Sequence, residues 1–240
     1  DISSVGAMPA YFELPKSLDL SVIISADVAV FRDDLIRDVV LNARLKKGEL
    51  TVSQISAQFP GGSDMAATMH IHTLNGIPTF TADLDGAVSD FRRVLNWLDI
   101  NIPAIPADRL RKMSVSAQVR GTVEQIDISN IDLYFDSSRL TGGVTIALRE
   151  RLGFGANLVI DRLNLDSYLG PATEELSNGS RTSNEKMISV ARGDDKSFSP
   201  FAILSVLSHL DANIKARVKS LVLRSRAIRE LVLDATILDG

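Results

Sequence analysis

Apolar residues recur at every second position through most of this chain. In the stretch LDLSVIISADVAV, residues Leu18, Leu20, Val22, Ile24, Ala26, Val28 and Val30 alternate with a mostly polar set, the period of a strand with one buried face. The same period runs through Leu35–Leu45, Met65–Ile71, Met113–Val119, Leu140–Leu148 and Leu152–Ile160. Short turn signals separate these runs: KKG at 46–48, PGGSD at 60–64 and NG at 75–76. Such turns are too short for the crossover that a parallel pair needs, so the pattern predicts an antiparallel meander. Two strands change phase midway. Leu50 and Val52 give way to Ile55, Ala57 and Phe59, and Ile126 and Ile128 give way to Ile131, Leu133 and Phe135. One extra residue per strand produces such a change, which predicts a β-bulge in each.

The chain also repeats itself. Laid over Leu210–Gly240 at a constant offset of 192, Leu18–Gly48 matches at ten of thirty-one positions, among them Val30, Arg32, Arg37, Leu41 and Gly48. A weaker echo links 55–71 to 131–146 and FTADLDG at 80–86 to FGANLVI at 154–160. Repetition on this scale marks stacked units that bury apolar surface against their neighbours. Helical signals are few. Residues 87–98 place Val88, Phe91, Leu95 and Leu98 on one face with Asp85 or Ser89 as N-cap, a short helix expected to lid one end of the sheet. Ser199 and Pro200 open a second helical pattern over 199–210. The expected organisation is a lead-in over 1–17, a β unit over 18–170, a polar linker over 171–198, and over 199–240 a short helix followed by the first hairpin of another repeat.

Composition narrows the function classes. The 240 residues are 45% hydrophobic and 5% aromatic, a globular balance. The formal net charge of −4, with scattered Lys and Arg, gives no basic footprint for nucleic acid. There is no cysteine, which excludes disulfide and thiolate–metal frameworks. No signal peptide and no apolar run long enough to span a membrane is present, and the chain reads as a segment separated from any anchor. His70 and His72 lie two apart on a strand, a spacing open to a metal pair, but without partners a solvated polar face is the better reading. The carboxylate pairs Asp33–Asp34 and Asp194–Asp195 have no nucleophile or base to work with, and GFG at 153–155 lacks the Lys of a phosphate loop. No catalytic constellation, cofactor or metal is expected, and the chain reads as a non-enzyme.

Four features together resemble the AsmA family of bacterial envelope proteins. They are the run LDANIKARVKSLVLRSRAIRELVLDATILDG, its earlier copy at 18–48, the motif FPGGSDMAA before a new strand, and LNLDSYLGPA at 163–172 ahead of a polar linker. Pro60, between Phe59 and the Gly61–Gly62 pair, departs from the family pattern. The resemblance implies a periplasmic segment of an inner-membrane-anchored protein in a Gram-negative-type bacterium. It also implies a long twisted sheet curled into an open groove of repeats, through which phospholipid passes between inner and outer membranes. Envelope protein partners are implied too. The expected lining for acyl chains is Leu20, Val22, Ile24, Val39, Leu41, Met69, Val115, Val144, Phe154 and Leu158.

The arithmetic permits this. About eleven strands at ~4.8 Å spacing extend roughly 50 Å, so further repeats are needed to cross an envelope. Burying two acyl chains is worth on the order of 25 kcal/mol gross at ~0.8 kcal/mol per methylene. Two other architectures share the alternating pattern. One is a closed-core scaffold that acts in outer-membrane biogenesis by holding protein partners. The other is a transmembrane β-barrel, for which one Trp and three Tyr are too few to form two aromatic girdles.

Overall fold

The structure, a computed structural model, describes residues 14–100, 102, 105–149, 151–168 and 211–238. The expected linker, the helix over 199–210 and most of the lead-in lie outside the described residues. Eleven strands form one sheet in strict sequence order. They are β1 Asp19–Phe31, β2 Asp34–Lys46, β3 Glu49–Phe59, β4 Ser63–Leu74, β5 Ile77–Val88, β6 Met113–Gly121, β7 Gln125–Phe135, β8 Ser138–Ala147, β9 Gly153–Asn164, β10 Asp211–Leu223 and β11 Arg226–Ile237. β1 and β11 do not pair, so the sheet is open, an all-β meander as the alternation predicts.

One junction departs from the antiparallel expectation: β9 and β10 run parallel, with Asp211 opposite Gly153 and Val218 opposite Ile160. The other neighbours are joined by turns or the short helical connection, whereas 46 residues (165–210) separate β9 from β10, ample for a crossover. The tight turns have the left-handed geometry that right-twisted hairpins favour. Lys47–Gly48 (φ 53° and 81°), Asn75–Gly76 (53° and 83°) and Arg32–Asp33 (52° and 59°) all carry two consecutive positive φ values.

Both predicted bulges are present. Pairing of β3 with β4 slips between Val52 and Ile55, and pairing of β7 with β8 slips between Ile128 and Ile131. The two slips sit 76 positions apart, the offset at which the 55–71 and 131–146 segments begin to match, so that part of the echo is structural. A third irregularity was not expected. At Asp38 (φ 49°) the pairing of β2 with β3 slips, placing Arg37 opposite Gln58, on the side away from Ala57. Val28 pairs with Arg37 and Val30 with Leu35, so Val28 and Val30 leave the face that holds Leu20, Val22 and Ile24. The simple alternation over 18–30 therefore inverts after Ala26, because a left-handed residue in the partner strand shifts the pleat.

The expected helix forms as α1, Phe91–Trp97, in the connection between β5 and β6. Its N-cap is Asp90 rather than Asp85 or Ser89, the carboxylate accepting from the backbone N–H of Arg93. Ala87 and Val88 remain in β5, held by pairing to Asp64 and Ser63. The Gly61–Gly62 pair brings this connection onto the β3–β4 turn. Asp90 N–H donates to the Gly61 carbonyl at 2.8 Å and Ser89 N–H to Gly62 at 3.1 Å. Gly61 sits at φ 85°, and a Cβ there would lie 2.5 Å from the Asp90 carbonyl oxygen, so only glycine fits this approach. Pro60 is accommodated in the turn, its carbonyl accepting from the buried Ser63 hydroxyl at 2.8 Å.

Candidate functional site: an apolar concave face

The strand registers join apolar side chains into rows that cross the whole sheet. Val22 pairs with Ala43, Ala43 with Val52, Val52 with Met69 and Met69 with Ala82. The row continues through Val119, Ile128, Val144, Ala156 and Ile214 to Ala235 on the far edge. A parallel row starts at Leu20 and Leu45, passes Phe80 and Phe154, and ends at Ile237. A third runs from Ile24 and Leu41 through Ile55 and Leu84, then from Ile131 through Leu158 to Leu233. A fourth joins Met65, Val115, Leu133, Leu140 and Ile160, and Val39 lies at its β2 end beside Ala26. Each bulge keeps the rows aligned, since without it the second half of β3 and of β7 would turn its apolar set to the other side.

All ten residues expected to line a groove fall on this one face. Leu20 and Phe154 share a row, as do Val22, Met69 and Val144; Ile24, Leu41 and Leu158 share another, and Val39 and Val115 belong to the fourth. The opposite face is mainly polar, although Ile23, Val28, Val30 and Val232 are exposed on it. One of its rows reads Ser21, Arg44, Thr51, His70, Thr81, Arg120, then Asp127 and Thr145. His70 and His72 stack there with ring centroids 5.1 Å apart, and His70 Nδ1 lies 3.1 Å from the Thr51 hydroxyl. Among the described residues no group of three or more His, Cys, Asp or Glu is placed to hold a metal.

The apolar face is uncovered among the described residues. No side chain is fully buried, and the buried apolar residues are few and mostly small, such as Val52, Ala117, Ala156 and Ala212. Leu20 and Ile24 remain 46% and 49% exposed. A sandwich or barrel of this size buries many Leu, Ile and Phe side chains completely. This sheet lays the same residue types out as an accessible surface.

The helix bends that surface inward at one end. Trp97 packs on Phe31 and Phe59 with ring centroids 6.0 and 5.9 Å away, while Phe91 meets Phe135 at 5.6 Å. Phe31 and Phe135 lie on β1 and β7, which a flat sheet would hold ~29 Å apart at ~4.8 Å per strand. The six-residue rise from Phe91 to Trp97 supplies ~9 Å and the ring contacts at its two ends span the rest, so α1 ties β1 and β3 to β7 across the apolar face. Arg92 donates to the Ile105 and Pro106 carbonyls at 2.8 and 2.9 Å, and Arg93 bonds Asp34, so both arginines anchor the lid.

The same end is closed further by Asp136 and Tyr168. The Asp136 carboxylate accepts from the backbone N–H groups of Leu110 and Arg111, both at 2.9 Å, and from the Tyr168 hydroxyl at 2.8 Å. Burial pushes this carboxyl up, but the hydrogen bonds outweigh it and hold the group below the ordinary carboxylate range. Burial, then the bond to Asp136, pushes the Tyr168 phenol up to about 12. Beside them lies a cavity of about 340 Å³ walled by Leu110, Leu133, Leu140, Ile160, Leu163 and Leu165. A larger hollow, about 570 Å³, lies on the opposite face, bordered by Asp64, Asp85 and Asp132, which makes it unsuited to hydrocarbon.

Sequence reasoning found the face but missed the cavity, because Leu110 sits outside any alternating run and Leu163 follows a second pleat inversion near Asp161. The chain matches no protein-family model, no curated protein and no solved structure.

Proposed function

We propose that this chain is a hydrophobic groove for phospholipid acyl chains, a segment of an AsmA-like periplasmic protein that carries lipid between inner and outer membranes. The observation that supports this most is the set of apolar rows running across the sheet on a concave, accessible face. Aliphatic side chains offer an acyl chain contact without fixed polar bonds, so a lipid slides along them at little cost. Exposed large apolar residues such as Leu20, Ile24, Ile55 and Leu84 lie together on this face, and contiguous exposed apolar faces mark binding sites. The AsmA-like sequence runs supply the envelope setting, the inner-membrane attachment through another segment, and the envelope partners.

The competing reading, a closed-core scaffold without lipid, requires a core that the described strands do not build. Titration of delipidated protein with a fluorescent fatty-acid probe separates the two. A groove gives saturable binding that phospholipid competes away, and a scaffold gives none.

A further inference from the structure

The parallel pairing of β9 with β10 decides which face of the sheet the chain between them crosses. β9 ends at Asn164, beside the α1 end of the sheet, whereas β10 begins at Asp211 opposite Gly153, at the other end. Residues 169–210, outside the described set, therefore have to return over roughly 36 Å, the length of β9 at ~3.3 Å per residue. Two routes exist, one over the apolar face and one over the polar face.

Strand stereochemistry distinguishes them. On an upward strand of L-residues, a side chain that faces the viewer goes with N–H and C=O groups that point to the right. The two-residue turn Arg224–Ser225 (φ 51° and 58°) makes Leu223 and Arg226 the pair that exchanges both hydrogen bonds. Leu223 shares the apolar face with Leu221, which stands opposite the cavity-lining Leu163. Seen from that face with β10 upward, β11 is therefore on its right and β9 on its left. The Asn75–Gly76 turn gives the same order: with β5 upward, Ile77 lies on the polar face with Thr79 and Thr81 and directs its backbone groups left, to β4. A right-handed crossover from β9 to a strand on its right passes in front of the sheet, over the apolar face. About 98% of parallel connections have this hand.

The described start of the connection goes that way. Leu165 and Tyr168 both line the apolar cavity, and Tyr168 stacks on Phe135 with ring centroids 6.4 Å apart. The Asp166 carboxylate accepts from the backbone N–H groups of Arg224 and Ser225 at 2.6 and 2.7 Å, which draws the chain toward β10 and β11. At the far end, Asp211 N–H donates to the Leu152 carbonyl at 3.0 Å.

One part of the connection has the composition for an apolar face. Residues 171–198 are mainly polar, but SPFAILSVLSHL at 199–210 holds seven apolar residues in twelve and joins directly to β10. Where β1 carries Leu20 and Ile24, β10 carries Ala212 and Ala216 at the matching positions of the repeat, so the face is shallower there. We propose that residues 199–210 dock on the apolar face over β9 and β10, with Phe201, Leu204 and Leu207 against it. The docking stands whether or not the rest of that face carries lipid.

The chain has no cysteine, so introduced pairs report single contacts. In the full delipidated chain, Leu204→Cys is combined with Ala156→Cys, in the apolar row of Val144 and Ile214, or with Asn157→Cys, opposite Lys215 on the polar face. Under mild oxidation the first pair should close an intramolecular disulfide at least tenfold faster than the second. Equal rates, or a faster second pair, overturn the proposal. Disulfides between chains that rise with protein concentration assign the face to a second copy and overturn it too. A variant carrying Phe201→Ser, Leu204→Ser and Leu207→Ser leaves every strand unchanged and should raise bis-ANS fluorescence at least threefold, with the circular dichroism of the parent. No rise overturns the proposal. Both readouts are taken without lipid, so their failure is distinct from failure of the acyl-chain reading.

Discussion

The indole N–H of Trp97 donates to the backbone carbonyl of Phe31 at 3.2 Å, tying the helix between β5 and β6 to the turn after β1. That bond and the ring contacts to Phe31 and Phe59 draw the first strands toward the middle of the sheet. Replacing Trp97 with Ala should cost about 2–3 kcal/mol, below the range for a fully buried Trp because this one keeps some exposure. The distance between spin labels at Arg32 and Ser137, on the turns after β1 and β7, should lengthen in the variant as the sheet flattens.

Gly61 and Gly76 make a matched pair for testing how the lid seats. Both have positive φ, 85° and 83°, but a Cβ at Gly61 meets the Asp90 carbonyl whereas at Gly76 nothing lies within 4 Å. Gly76→Ala should cost only the left-handed strain, about 1 kcal/mol. Gly61→Ala should cost about 1–3 kcal/mol more, since the chain leading into α1 must move. Urea unfolding of the two variants measures the difference.

The Asp136–Tyr168 pair gives the groove end a defined pH response. Asp136 has a depressed folded pKa, so its contribution is present above the unfolded value near 3.9 and lost as pH falls through the lower folded value. Tyr168 has a raised one, so its contribution is full below about pH 10 and lost as pH rises toward about 12. Tyr168→Phe should destabilise by about 1–2 kcal/mol at neutral pH and remove the alkaline loss. Asp136→Asn should remove part of the acid loss. Denaturation midpoints measured across pH for the three proteins check both signs.

Much of this fold was legible because period-two patterning survives wherever one strand face is apolar. The phase changes at Val52–Ile55 and Ile128–Ile131 could be read as bulges, since a shift in the apolar set is itself the signal. Asp38 left no comparable mark: beyond Ala26 both phases of β1 are apolar, Val28 and Val30 on one face and Ala29 and Phe31 on the other, so the alternation looked unbroken. The parallel β9–β10 pair was hidden for another reason. It depends on the path of a polar segment without periodicity, whose residues say nothing about strand direction. The ten residues expected to line a groove share a face because row membership follows from alternation plus bulges, whereas the packing of α1 depends on Trp97, Phe91 and three strand-end phenylalanines that no periodicity connects.

The two faces should respond differently to charge. Ser25→Asp and Thr81→Asp, on the polar side, should leave fatty-acid probe binding within twofold of the parent. Leu84→Asp, on the apolar side and already 38% exposed, should fold and weaken binding at least fivefold. Equilibrium fluorescence titration of the three variants, with circular dichroism as the control for folding, makes the comparison.

The most direct measurement is lipid mass spectrometry of the chain purified after expression in a bacterial envelope, beside a variant carrying Ile24→Asp, Leu41→Asp and Val144→Asp. An open acyl-chain groove predicts co-purified phospholipid in near-stoichiometric amount, lost in the variant while its circular dichroism remains that of a β-sheet. A folded parent chain that carries no phospholipid would contradict the account.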